Sequence, residues 1–165
     1  MFRKSLFFLL SFLLLVASQG AAADLGIQFG SKWSSVGGHP TTVGLKIVED
    51  TFSVTSRMGL YRYDSNPGNQ DNDVSWVTLG ATYDHYLHPG EQLRPYVGAD
   101  FDVYFYDNND SETSFSLTPH FGAEYWVGEY FSVSGEAGLG FGFGEIGHVE
   151  DPIETTAALH MTYYF

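Results

Sequence analysis

From Thr156 to Phe165 the chain alternates strictly. Ala157, Leu159, Met161, Tyr163 and Phe165 fall on one face and Thr156, Ala158, His160, Thr162 and Tyr164 on the other, the period of two that a β-strand imposes. Seven earlier segments carry the same pattern. The first runs from Leu25 through Ile27 and Phe29 to Trp33, the second holds Val43, Leu45 and Ile47, and the third Phe52, Val54, Met58 and Leu60. Val77, Leu79, Ala81 and Tyr83 mark the fourth, and Val97, Ala99, Phe101, Val103 and Phe105 the fifth. The sixth carries Phe115, Leu117, Phe121, Ala123, Tyr125 and Val127, and the seventh Phe131, Val133, Ala137, Leu139, Phe141 and Phe143. Each is near the ~9 to 11 residues that a tilted strand needs to cross a bilayer. Eight such strands predict an all-β, eight-stranded antiparallel up-and-down transmembrane β-barrel, and the even number brings both ends of the barrel to the same side.

The connections alternate in length. Long polar loops are expected at Ser34 to Pro40, Asp64 to Asp73, Asp107 to Thr113 and Gly144 to Pro152, with turn formers such as Asn66-Pro67-Gly68 and Asn108-Asn109 inside them. Between them lie tight turns at Glu49-Asp50 and Gly128-Glu129-Tyr130 and an intermediate one around His88-Pro89-Gly90. Short turns on the periplasmic side and longer loops outside are the asymmetry of outer-membrane barrels.

Periodicity alone leaves a soluble, lipocalin-like barrel open, because it does not say which face points inward. Volume decides. An eight-stranded barrel has an interior that side chains just fill or that holds one small ligand, whereas the apolar face offers five or six large groups on several strands. The opposite face is small or polar, with Gly44, Gly59, Gly80, Gly98, Gly122, Gly138, Gly140 and Gly142 among its members. Apolar outside and polar inside is the arrangement lipid requires. Trp33, Tyr63, Trp76 and Tyr106 near the loop ends, and Tyr83, Tyr125, Trp126, Tyr130, Tyr163, Tyr164 and Phe165 near the turn ends, are the expected interfacial aromatics.

At the amino terminus Arg3 and Lys4 precede an apolar run from Leu6 to Val16 and then Ala21-Ala22-Ala23, which reads as a secretory signal peptide over residues 1–23. The run is shorter than the ~20 residues a spanning helix needs, and small-residue spacing predicts cleavage before Asp24, leaving a barrel domain over 24–165. The chain contains no cysteine, so neither disulfide nor thiol chemistry contributes. Its 20 acidic residues against 7 Lys and Arg give a net charge of −13, which makes nucleic acid an implausible partner. Aromatic residues at 17% argue against disorder in spite of that charge.

Signal segment, eight strands, loop asymmetry and aromatic carboxyl terminus together resemble the bacterial outer-membrane β-barrel family, in particular the small OmpA, OmpX and opacity-type barrels. Arg94-Pro95-Tyr96-Val97-Gly98-Ala99 is similar to a strand opening frequent there. The resemblance implies an outer-membrane location with both barrel ends periplasmic, and partners in outer-membrane lipid and lipopolysaccharide. It also implies that the terminal strand, with Tyr163 and Phe165, is the signal read by the barrel-assembly machinery. The peptidoglycan-binding domain of larger OmpA proteins does not follow Phe165, so that tethering role does not carry over.

On the inward face parity places Lys46, Arg57, Asp100, Asp102, His120, Glu124, Glu136 and His160. If the sixth and seventh strands pair across Gly128-Glu129-Tyr130, Glu136 lies opposite Gly122, with His120 and Glu124 as diagonal neighbours. Buried charges without partners are very costly, so these groups are expected to form a hydrogen-bonded ionic plug. Catalysis is disfavoured: a barrel lipid hydrolase would need a Ser two positions after a His that a carboxylate orients, and His120-Phe121-Gly122 and His160-Met161-Thr162 lack that spacing. Asp84-His85 has the residue types of a barrel protease pair but falls toward the periplasmic turn. Asp64-x-Asn66-x-Gly68 opens like a calcium loop, yet its twelfth position is Ser75 rather than Glu, so the acidic loops read as solvated charge, and no metal or cofactor is predicted. Lys32 and Arg62, at loop ends, are candidates for contact with lipopolysaccharide phosphates. The expected function is a structural or interaction barrel with acidic extracellular loops, an unidentified extracellular ligand and a plugged lumen. A narrow cation-favouring channel through the glycine-lined stripe is the alternative, and a barrel lipid hydrolase ranks behind both.

Overall fold

The computed structural model describes residues 24–34, 41–64, 73–108, 110–144 and 153–165, the side chains of 61–64, 73–76 and 106–112 excepted. Its eight strands are β1 (Asp24–Ser34), β2 (Thr41–Val48), β3 (Phe52–Asp64), β4 (Asp73–Tyr86), β5 (Leu93–Asn108), β6 (Asp110–Trp126), β7 (Phe131–Gly144) and β8 (Ile153–Tyr164). Each pairs antiparallel with the next, and β8 returns to β1 through Gly26↔Tyr164 to Ser34↔Thr156, closing the barrel. Closure leaves no unpaired edge, which a sheet in hydrocarbon requires because no water is there to satisfy a free N–H or C=O. The signal segment predicted over residues 1–23 lies outside the described residues, as do the loop interiors 35–40, 65–72 and 145–152.

Two-residue periodicity sorts side chains as the barrel needs. Phe29, Leu45, Met58, Leu60, Tyr83, Val97, Phe101, Phe121, Leu139, Leu159 and Met161 point outward and are exposed, while Ser, Thr, Gly and charged residues point into the lumen and are buried. Turns are tight on one end: Glu49 N–H donates to Phe52 O at 2.8 Å and Val127 N–H to Phe131 O at 2.8 Å. Gly90 holds φ at 80° in the β4–β5 turn, a left-handed conformation that glycine adopts without a Cβ penalty.

Two sequence expectations change. The long loop expected at Asp107 to Thr113 is drawn into strands, since β5 and β6 pair up to Asn108↔Asp110 and leave only residue 109 between them. Trp126 and Tyr164, expected in an interfacial girdle, have inward parity and are buried, joining Val48, Tyr86 and Tyr96 in an aromatic cluster at the turn end of the lumen. Trp126 stacks on Tyr164 with centroids 4.4 Å apart, and the Arg94 guanidinium lies 4.6 Å over the Trp126 ring. The inward glycine stripe includes Gly138 and Gly140. A Cβ at Gly138 would lie 2.6 Å from Pro119 O and one at Gly140 2.7 Å from the Glu154 side chain, so these glycines let neighbours close in. Beside that stripe the β6–β7 pairing stops at Leu117↔Phe141 and resumes at His120↔Gly138. Pro119, which has no N–H to give the ladder, sits in that gap.

Candidate functional site

The lumen is the only region where the described residues gather charge, and the register explains how. Strand pairing places Thr82, Asp100 and Thr118 side by side across β4, β5 and β6, and Gly80, Asp102 and Ser116 in the adjacent row. Arg57 on β3 is opposite Gly80, and the missing side chain there gives its guanidinium passage to the acids beyond. Arg57 Nη2 reaches both oxygens of Asp102 at 2.9 and 2.8 Å, and Nη1 reaches Asp100 Oδ1 at 2.9 Å and Thr82 Oγ1 at 2.7 Å. Such a planar, many-donor group is suited to clamping two carboxylates at once.

Lys32 completes this layer, with Nζ 2.9 Å from Asp100 Oδ2 and 3.2 Å from Asp102 Oδ2. That corrects its assignment to lipopolysaccharide: Lys32 shares the parity of Gln28 and Gly30, so its ammonium is held inside the barrel by two carboxylates. The side chain of Arg62, the other residue given that role, lies outside the described residues.

Nearer the turns, Lys46 Nζ donates to Glu124 Oε2 at 3.0 Å. The same carboxylate accepts from Tyr86 Oη at 2.5 Å, Ser132 Oγ at 2.5 Å and Tyr164 Oη at 2.7 Å, so both its oxygens are saturated by groups from β4, β7 and β8. Unpaired, a carboxylate this buried would be intolerable; here the desolvation cost is offset by a cation and three hydroxyl donors.

Between these layers lies a third. Asp84 on β4, Gly98 on β5 and His120 on β6 occupy one row, and Glu136 on β7 lies opposite Gly122 in the next. His120 Nε2 is 2.8 Å from Asp84 Oδ1 and 3.8 Å from Glu136 Oε2, and His160 Nε2 is 3.5 Å from Glu136 Oε1. Ser53 Oγ donates to Asp84 Oδ2 at 3.0 Å, and Tyr96 Oη to Glu136 Oε2 at 3.2 Å.

All eight residues assigned to the lumen, Lys46, Arg57, Asp100, Asp102, His120, Glu124, Glu136 and His160, therefore face inward. They are divided among three layers and joined by residues not expected in the polar network: Lys32, Asp84, Tyr86, Tyr96 and Tyr164. Asp84 and His85, read as an adjacent pair, point to opposite faces, Asp84 buried and His85 exposed. Parity counted from Gly80 would have placed 82, 84 and 86 in the lumen. Tyr163 and Phe165 project outward, 55% and 65% exposed.

Ser53 is bonded to the carboxylate Asp84 rather than to His120, so a Ser–His–carboxylate relay is not formed there.

No protein-family model matches the chain, and no curated protein matches its sequence. Solved structures with the same fold include Neisserial surface protein A, at 15% identity and a TM-score of 0.58, covering 87% of this chain and 96% of that one. The N-terminal β-barrel domain of Pseudomonas aeruginosa OprF aligns at 18% identity and 0.57, covering 89% and 100%. A major outer membrane protein from Thermus thermophilus aligns at 14% and 0.59, covering 88% and 100%. The likeness is one of fold.

Proposed function

We propose that this chain is an integral outer-membrane protein whose barrel serves as an anchor, holding acidic loops on the outer surface while an ion-paired lumen blocks solute flow. The observation that carries this reading is the joint one of an exposed apolar outer face and a buried lumen whose cations are clamped by carboxylates. Lipid is the one solvent in which that inversion is favourable. Fold likeness to outer-membrane proteins supports the location, and the signal-peptide pattern over 1–23 supports export. In this reading both barrel ends are periplasmic, Tyr163 and Phe165 serve recognition by the assembly machinery, and Arg62 remains the candidate for lipopolysaccharide phosphates. The role is non-enzymatic, an interaction or structural one.

Three measurements test it. An unboiled sample of the membrane fraction should migrate differently from a boiled one, because closed barrels resist SDS until heated; a heat-independent band would contradict the membrane barrel. In planar bilayers the purified protein should be silent. Cation-selective steps that vanish in an Asp100→Asn, Glu136→Gln variant would instead support the narrow channel, and altered lipid A in cells overexpressing the protein would support a hydrolase.

A further inference from the structure

Setting aside Glu154 at the loop rim and Arg94 at the turn rim, the described lumen holds two more carboxylates than permanent cations. Lys46 serves Glu124, and Arg57 with Lys32 serves Asp100 and Asp102. Asp84 and Glu136 remain, both buried and both in the middle layer, with only histidines as partners of basic type among the described residues. A buried pair of carboxylates needs about two positive charges nearby.

We propose that a divalent transition-metal ion, zinc being the type case, supplies that charge, bound by Asp84, His120 and Glu136. One donor atom from each of the three lies within 4.8 Å of the others. Ligands about 2.0–2.2 Å from a tetrahedral zinc lie roughly 3.3 Å apart. The observed 2.8 Å from His120 Nε2 to Asp84 and 3.8 Å to Glu136 bracket that spacing, so small side-chain rotations suffice. An imidazole with two carboxylates suits a first-row transition ion better than calcium or magnesium, which prefer oxygen alone.

Three further features point to a ligand at this place. Gly98, between Asp84 and His120 in the strand row, is what lets the two donor atoms meet: a Cβ there would stand 2.5 Å from His120 Nε2 and 2.6 Å from Asp84 Oδ1. His120 Nδ1 lies 3.3 Å from Thr118 O, a backbone acceptor that would hold the proton on Nδ1 once a metal took Nε2. His160 is the third. Its buried Nδ1 has no hydrogen-bond partner among the described residues, while Nε2 faces Glu136. Nε2 stands where it can orient Glu136 as a ligand. Lys32, Arg57, Asp100 and Thr118 pack on the loop side of this layer and Lys46, Glu124, Tyr86 and Tyr96 on the turn side, so the ion would be enclosed and taken up as the barrel closes.

The test is to unfold the full chain in urea with EDTA, refold it in detergent with one equivalent of Zn²⁺ or Co²⁺, remove free metal on a desalting column and measure what is retained. Unboiled gel migration reports the folded fraction independently, so failure to bind metal is distinguishable from failure to form a barrel. The expected result is about one equivalent in the folded wild type, with retention at least tenfold lower in Asp84→Asn and in Glu136→Gln and unchanged in Glu154→Gln. Should the two variants fail to fold, X-ray absorption of the wild-type zinc adduct decides, with one imidazole nitrogen and carboxylate oxygens expected. A folded wild type that retains no metal, a folded Asp84→Asn that retains as much as wild type, or a shell without imidazole would each overturn the proposal.

Discussion

Lys46 Nζ and Glu124 Oε2 meet 3.0 Å apart across the barrel although 78 positions separate them in the chain. Both are essentially inaccessible to water, and Tyr86, Ser132 and Tyr164 converge on the same carboxylate. Removing one partner strands the other in a medium that cannot solvate it. Lys46→Met and Glu124→Gln are each expected to lower stability by about 3–5 kcal/mol. Combining them should cost less than the sum of the two, by about 0.5–3 kcal/mol for groups in direct contact. Urea unfolding of the detergent-folded protein measures all four corners of this cycle, and strictly additive losses would count against the pair.

The Arg57 layer depends on a missing side chain. A methyl group at residue 80 would overlap Asp102 Oδ1 and stand 3.0 Å from Arg57 Nε. Gly80→Ala should therefore force the guanidinium or the carboxylate off its bonding geometry and cost about 1–3 kcal/mol, the usual penalty of overpacking. The same unfolding assay reads it; an unchanged midpoint would mean that the clamp is looser than its bond lengths indicate.

Depth should govern the outer face. Leu139, near the centre of β7, is 49% exposed, and Ile153, at the loop end of β8, is 56% exposed. Leu139→Arg is expected to cost about 2–4 kcal/mol in a bilayer and Ile153→Arg about 0–1 kcal/mol, following the depth dependence of a lipid-facing cation. Folding titrations into lipid vesicles compare the two, and equal costs would remove the bilayer from the explanation.

Two tryptophans report opposite sides of the wall. Trp33 is 40% exposed and outward, whereas Trp126 is buried under Arg94 and against Tyr164. In variants keeping one tryptophan each, with the others changed to Phe, brominated lipid should quench Trp33 strongly and leave Trp126 nearly untouched. Strong quenching of Trp126 would place it in the girdle that its sequence position suggested.

Alternation was sufficient to read the strands, because period two is fixed by backbone geometry and survives any choice of partner. It also gave the Glu136–Gly122 register, since a short turn leaves little freedom there. Identity misled where residue type and parity disagreed. Amphipathic character points Trp126 and Tyr164 to the interface, and charge points Lys32 to a phosphate, although parity turns each inward. Asp84 was judged by its neighbour His85, which faces the other way. The three-layer division was not legible at all, because it depends on strand stagger and on the reach of Arg57 and Lys46 across the lumen, neither of which leaves a trace in local sequence.

The central claim is that the apolar face meets lipid and the polar face is enclosed. With no native cysteine, single cysteines at Leu139 and Phe101 can carry spin labels without background. In lipid vesicles, power-saturation EPR should find both labels accessible to oxygen and shielded from a water-soluble nickel chelate. Labels open to the chelate and closed to oxygen would contradict the account.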